Sequence, residues 1–135
     1  MKKIVMFFVC MLFAYYADAQ VMSAKATWVT IKSNNLKCWP CQQALERYLT
    51  VENKSNFESG ILQWKINLLQ GEIRLQYLPD RVTADQIKEA ITGAGFDADE
   101  LKADSVAYKS IPPICKRAED GGGPQKGKPC HYPNN

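Results

Sequence analysis

The middle of the chain alternates apolar and polar residues as half-buried strands do. Apolar side chains occupy every second position from Leu62 to Leu68 and again from Ile73 to Tyr77. This period of two predicts two strands, each with one buried face. Gln70-Gly71 between them predicts a turn, so the two strands form a hairpin. An earlier stretch rich in β-branched and aromatic residues, 25–32, predicts a first strand.

Two other segments carry the period of a helix. Apolar residues recur at helical spacing from Cys41 to Leu49, which predicts one buried helix face. Residues 51–60 are polar and predict a loop. A second helix is predicted to begin at Thr83, where Gln86 completes a capping box, and to end before Gly95.

The order of these elements predicts an α+β fold of the ferredoxin-like type. With a weak last strand near residue 97 or 101, the order is βαββαβ, an antiparallel sheet with two helices on one face. Proline and glycine become dense from Ile111 onward and predict an irregular C-terminal extension. We therefore divide the chain into a core domain, 20–104, and a Pro/Gly-rich tail, 105–135.

Residues 1–19 have the composition of a secretory signal peptide. The segment combines two lysines, an apolar run and an Ala-Asp-Ala cleavage pattern. Its apolar run is shorter than the ~20 residues of a membrane-spanning helix. We therefore expect an exported protein, periplasmic or extracellular, that has no membrane attachment after cleavage. Such compartments are oxidising. Cleavage would remove Cys10 and leave four cysteines: Cys38, Cys41, Cys115 and Cys130.

Charge and histidine content exclude several functional classes. The 135-residue chain has a formal net charge of +3, and two of its positive charges lie in the signal segment. A nearly neutral mature chain offers no electrostatic basis for binding nucleic acid or anionic lipid. The single histidine, His131, lies in the tail, so no Ser/His/Asp catalytic set is present. Five cysteines make thiol chemistry the remaining candidate.

The candidate site is the motif Cys38-Trp39-Pro40-Cys41, where the first helix begins. Two intervening residues allow both sulfurs to face one point, and the free N–H groups and dipole of a helix N-terminus favour thiolate. Thiolates select soft ions such as Cu(I) or Zn(II). Taken alone, the motif fits metal binding, dithiol redox chemistry and a Cys38–Cys41 disulfide.

The order and spacing of segments from about Lys25 to Ala98 resemble the heavy-metal-associated domain of copper chaperones and metal-exporting pumps. The segments that carry the resemblance are the metal loop Leu36-Lys37-Cys38-Trp39-Pro40-Cys41, then 45–49, 64–68, 71–77, 82–91 and Ala94-Gly95-Phe96-Asp97-Ala98. The resemblance implies that Cys38 and Cys41 hold Cu(I) or another soft ion, with zinc and mercury as alternatives. It also implies that Phe96 packs near the metal loop.

The motif departs from the family pattern at two places. Leu36 stands where the family usually has methionine, and leucine can fill the same core space. Bulky Trp39 and rigid Pro40 replace the small polar residues that are common between the cysteines, which bears on ion preference. Leu36, Trp39 and Phe96 are therefore predicted to surround the ligands.

Two fates are open for the tail cysteines. Cys115, Cys130 and His131 can serve as auxiliary ligands, because Zn(II) generally takes four. Alternatively, Cys115 and Cys130 pair with each other, and that disulfide would stabilise the fold by roughly 3 kcal/mol. A regulatory thiol pair is a third, weaker hypothesis.

The leading functional hypothesis is a non-enzymatic, exported metal-binding protein. It would act as a chaperone, scavenger or sensor, and would exchange its ion with a metal-transporting membrane protein through an exposed loop. The first alternative is a thiol-disulfide oxidoreductase, although the predicted hairpin after the first helix does not suit a thioredoxin-like fold. The second alternative is an exported interaction domain stabilised by disulfides.

Overall fold

The computed structural model describes residues 25–127 together with residues 129 and 130. The signal segment 1–19 and His131 lie outside the described residues. None of the helices in the described ranges is long and apolar enough to cross a membrane. The elements are β1 (Thr27–Lys32), α1 (Trp39–Ser55), β2 (Ile61–Asn67), β3 (Glu72–Tyr77), α2 (Ala84–Gly93) and α3 (Ser105–Ser110), followed by 3₁₀ turns at Pro113–Cys115 and Ala118–Asp120.

The sheet is antiparallel, with strand order β1-β3-β2. Ile73, on the central strand, lies opposite Ile31 of β1 and Ile66 of β2, so apolar residues of all three strands share one face. Both main helices bury their apolar residues in the cluster on that face. Across the sheet, Trp28 is partly exposed beside Arg74. The predicted ferredoxin-like α+β class is confirmed.

The predicted last strand is reduced to one point of contact in the described structure. The Asp99 N–H donates to the Lys32 carbonyl at 2.7 Å, and the Lys32 N–H donates to the Asp99 carboxylate at 2.8 Å. Asp99 has a positive φ of 53°, so the chain turns away from the sheet there. Ala98 and Leu101 bridge that turn. A polar segment that bends in this way cannot extend along β1.

The first helix is longer than the sequence pattern predicts. The loop predicted over 51–60 is wrong for 51–55, because α1 continues to Ser55. Asn53 explains why the helix extends so far. Its side-chain amide donates to the Ile61 carbonyl and its side-chain carbonyl accepts from the Ile61 N–H, both at 2.8 Å. The last turn of α1 thereby fixes the start of β2.

The second helix has the caps that its sequence predicts. Thr83 Oγ1 accepts a hydrogen bond from the Gln86 N–H at 3.2 Å, and Gln86 Oε1 accepts one from the Thr83 N–H at 2.9 Å. Gly95 follows the helix with φ of 97°. A Cβ at this position would lie 2.7 Å from Ile111 Cγ2 and 3.0 Å from the Ala107 carbonyl. Glycine thus permits the close approach of the chain around α3.

The C-terminal extension is more regular than predicted. Residues 105–110 form α3, and the Asp104 carboxylate caps it by accepting hydrogen bonds from the Val106 and Ala107 N–H groups. Two 3₁₀ turns follow, and the first of them packs against α1. Proline and glycine exclude long helices in this segment, but they allow the single turns that direct it back to the core.

Candidate functional site

The two cysteines of the motif lie in the first turn of α1. Cys38 is the N-cap, with extended φ and ψ of −123° and 155°. Its carbonyl accepts from the Cys41 N–H at 3.0 Å and from the Gln42 N–H at 3.1 Å. Pro40 occupies the first turn, where a missing N–H leaves no acceptor unpaired. Local sequence therefore places both sulfurs at the positive end of a 17-residue helix.

Both sulfurs are withdrawn from solvent. Cys38 and Cys41 each have 0% of their surface exposed. The exposed loop expected from the sequence is therefore wrong for this structure. The physical reason is the tail, which crosses the start of α1 and covers the motif. The 3₁₀ turn Pro113–Cys115 lies against the helix there, and Cys115 is itself fully buried.

Each cysteine of the motif is paired with a cysteine of the tail. Cys38 is bonded to Cys130 with a Cα–Cα distance of 5.0 Å, and Cys41 is bonded to Cys115 with a Cα–Cα distance of 5.5 Å. Both pairings considered from the sequence, Cys38–Cys41 and Cys115–Cys130, are therefore wrong. The tail returns across the motif, so each motif sulfur meets a tail sulfur instead of its own neighbour.

The predicted ligands are thus brought together, but as disulfide sulfurs. Within the described ranges, no group of three or more His, Cys, Asp and Glu side chains is arranged to hold a metal ion. A disulfide sulfur is not a thiolate, and the thiolate is the form of cysteine that binds a metal. The roles of Cys38, Cys41, Cys115 and Cys130 as ligands stay a prediction, and His131 lies outside the described residues.

The three side chains predicted to surround the ligands lie at the same end of the core. Leu36 and Phe96 are fully buried, in one hydrophobic cluster with Cys38 and Cys41. Trp39 is half-buried as the first residue of α1. The substitution of leucine for methionine before the motif therefore keeps an apolar residue in the core.

A buried ion pair attaches the tail independently of the disulfides. Arg117 Nε and Nη2 donate to the two carboxylate oxygens of Asp97, each at 2.8 Å, and the Asp97 side chain is 1% exposed. Burial alone raises the pKa of Asp97, but the Arg117 guanidinium and the Ala103 N–H together hold that pKa below its usual value. Tyr108 packs beneath Arg117, whose guanidinium carbon lies 4.2 Å from the ring centroid.

Asn35 joins the motif loop, the core and the tail through one buried amide. Its Nδ2 donates to the carbonyls of Gly95 at 3.1 Å and Cys115 at 3.0 Å. Its Oδ1 accepts from the Asp97 N–H at 2.8 Å and from the Ser33 hydroxyl at 3.2 Å. Because every polar atom of this side chain is paired, the loop before α1 and the tail are held in one arrangement.

Sequence reasoning finds the four cysteines but misses Asn35, Asp97 and Arg117. Asn35 belongs to a Ser-Asn-Asn sequence whose composition indicates only the end of a strand. Asp97 follows buried Phe96, and this is a signal that could mark it as a buried acid. Nothing near Arg117 in the sequence distinguishes it from a solvated tail residue.

Comparison with curated proteins finds copper chaperones as relatives of this chain. No protein-family model matches the chain. The copper chaperone CopZ from two strains of Staphylococcus epidermidis is 31% identical over 67 residues, which is 50% of this chain and 90% of CopZ. Half of this chain therefore lies outside the aligned region.

Three of the solved structures with partial similarity have TM-scores just below 0.5. A CopZ metallochaperone is 26% identical, with a TM-score of 0.46, over 53% of this chain and 98% of that protein. A protein from Bacillus anthracis described as a putative copper-ion-binding protein is 23% identical, with a TM-score of 0.48, over 57% and 100%. Oxidised MerP from Ralstonia metallidurans is 11% identical, with a TM-score of 0.47, over 56% and 96%.

Proposed function

Because this chain belongs to the copper-chaperone-like family of heavy-metal-associated domains, we propose that it binds a soft metal ion through the thiolates of Cys38 and Cys41. The observation that carries the proposal is the position of both sulfurs in the first turn of α1. Membership of a family of metal chaperones also confirms that the chain is not an enzyme. This disfavours the oxidoreductase alternative.

Cu(I) is the proposed cargo. Two soft thiolates suffice for Cu(I), and the helix N-terminus stabilises their negative charge. Zinc or mercury is the alternative, and zinc would draw on further donors from the tail. In transfer, a partner's thiolates replace Cys38 and Cys41 one at a time. The partner that we propose is a metal-transporting membrane protein.

Metal binding belongs to the reduced form of the protein. Each disulfide must gain two electrons before its two sulfurs become thiols, and the ions of interest bind the deprotonated thiolate. Reduction of both bonds also releases the tail from covalent attachment to α1. We therefore propose that the oxidised form described above is the closed form of a metal carrier.

Export is part of the proposal. Two disulfides among the four cysteines after residue 19 are typical of proteins in oxidising compartments, which supports a periplasmic or extracellular location. Mass spectrometry of the protein made by its native host tests this. Cleavage after Ala19 leaves Gln20 as the first residue, whereas an intact Met1 would contradict export through this segment.

Anaerobic titration with Cu(I) against a chelator tests the binding site. The fully reduced chain is expected to take up one equivalent, and the Cys38→Ser/Cys41→Ser variant is expected to lose affinity by at least about a thousandfold, roughly 4 kcal/mol. Ser55→Ala, an exposed position at the other end of α1, is the control and should bind as the wild type does. The unreduced chain should bind none.

Two results of this titration would contradict the proposal. One is a reduced wild-type chain that takes up no copper. The other is a double variant that keeps the wild-type affinity. Deletion of residues 114–135 in the reduced chain then reports on the tail, because an unchanged affinity means that Cys115, Cys130 and His131 take no part in binding.

A disulfide-stabilised interaction domain is the second candidate function. The complete burial of Cys38 and Cys41 in bonded form favours it. The same titration separates the two candidates. An interaction domain would keep both disulfides under mild reductant and would take up no metal after strong reduction.

A further inference from the structure

An open cleft of about 700 Å³ lies beside the Cys38–Cys130 disulfide. Cys130 forms part of its wall, as do Lys37 from the loop before α1 and Lys102 from the segment before α3. Arg117 also lines the cleft, and Glu119 is the acidic residue among the lining side chains. Cations therefore outnumber anions around the one tail sulfur that faces this cleft.

Two of these cations are free to meet a ligand. Arg117 is paired with two carboxylates that do not line the cleft, those of buried Asp97 and of Asp120, so its positive charge is not available to a ligand. Lys102 lies 3.8 Å from Glu119, but both side chains are largely exposed, and pairs of this kind contribute little. Lys37 is exposed and forms no ion pair within the described ranges. Lys37 and Lys102 thus give the cleft a preference for anions.

Cys130 is also the most accessible of the bonded sulfurs. It is half-buried, whereas Cys38, Cys41 and Cys115 are fully buried. Thiol–disulfide exchange requires a thiolate to reach one sulfur of the bond, and it proceeds faster when the departing thiolate is stable. Attack on Cys130 expels Cys38, and Cys38 lies at the N-terminus of α1, where the helix stabilises a thiolate.

We propose that this cleft binds a small anionic thiol, which attacks Cys130 Sγ and opens the Cys38–Cys130 disulfide. The incoming thiolate forms a new S–S bond to Cys130. The electron pair of the broken bond goes to Cys38 Sγ, which departs as a thiolate, so no external oxidant is consumed. The consequence for metal binding rests on the proposed function, because the step frees one of the two proposed ligands.

Three monothiols of different charge test the proposal on the unreduced full chain. The probes are anionic 3-mercaptopropionate, neutral 2-mercaptoethanol and cationic cysteamine, and each rate is divided by the rate of the same thiol with a small neutral disulfide. At low ionic strength the anionic thiol should react about tenfold faster than the cationic one. Peptide mapping after alkylation should find the adduct on Cys130 and a free thiol at Cys38.

Lysine variants show whether the preference for an anionic thiol comes from the cleft lysines or from the overall charge of the protein. Lys37→Gln/Lys102→Gln should abolish the preference for the anionic thiol, whereas Lys54→Gln/Lys109→Gln, at two helix ends that do not line the cleft, should keep it. Equal normalised rates for the three thiols would overturn the proposal. So would a first adduct on any other cysteine, or a preference that survives in Lys37→Gln/Lys102→Gln. None of these readouts involves a metal, so they stand apart from the copper titration.

Discussion

The paired substitution Cys41→Ala/Cys115→Ala is expected to lower the free energy of unfolding of the oxidised protein by about 4 kcal/mol. With Cys38–Cys130 intact, the shorter covalent path between residues 41 and 115 runs 3 positions to Cys38 and 15 from Cys130, so loss of the second bond returns roughly 3 kcal/mol of conformational freedom to the unfolded chain. Both sulfurs are fully buried, and their removal also leaves a small cavity at the start of α1. Urea unfolding without reductant measures the change.

The same comparison under strong reductant is the control. Under reductant the wild type has also lost the Cys41–Cys115 bond. The unfolding free energies of the two proteins should then differ only by the small cost of the cavity. The single variant Cys115→Ala tests the pairing itself, because its free thiol should map to Cys41. A free thiol at Cys130 would instead show that Cys115 and Cys130 are partners, and equal unfolding free energies in the oxidised proteins would contradict the bond altogether.

The parts of the fold that follow from local patterns are predictable from the sequence. The alternation in β2 and β3 reports which face is buried, and the Thr83–Gln86 capping box fixes the start of α2 within its own four residues. The last turn of α1 is different. It depends on the bonds between Asn53 and Ile61 across a turn, which no helical periodicity contains. The missing last strand likewise depends on the bend at Asp99.

The candidate site is likewise predictable from the sequence only where it depends on local features. Spacing and helix position identify Cys38 and Cys41 as a chemical pair, because both facts are local. Their bonded partners lie 92 and 74 residues away, and four cysteines allow three connectivities that sequence cannot rank. The choice is made by tertiary structure. The Asn35 side-chain amide donates a hydrogen bond to the Cys115 carbonyl, and Arg117 forms an ion pair with Asp97. These contacts hold the tail across the motif.

Arg117→Gln is expected to lower the free energy of unfolding by about 3 kcal/mol at pH 7, because it leaves the Asp97 carboxylate buried without its cation. The effect should depend on pH. In the wild type the pKa of Asp97 is below its usual value, so the ion pair stabilises the fold above about pH 4 and is lost as the pH falls through the folded pKa. Without Arg117, burial dominates and raises the pKa of Asp97. Protonation of Asp97 then removes the buried charge from the variant. The difference in unfolding free energy between the variant and the wild type should therefore shrink as the pH falls from 7 to 3.

Urea unfolding of the oxidised proteins at both pH values measures this, with Arg47→Gln as the matched control. Arg47 is exposed on α1, and its substitution should change the unfolding free energy by less than about 0.5 kcal/mol at either pH. Asp97→Asn/Arg117→Gln should recover part of the loss, because no buried charge remains. A deficit that is the same at pH 7 and pH 3 would assign the effect to the packing of Arg117 on Tyr108, and the ion pair would then not be what holds the tail.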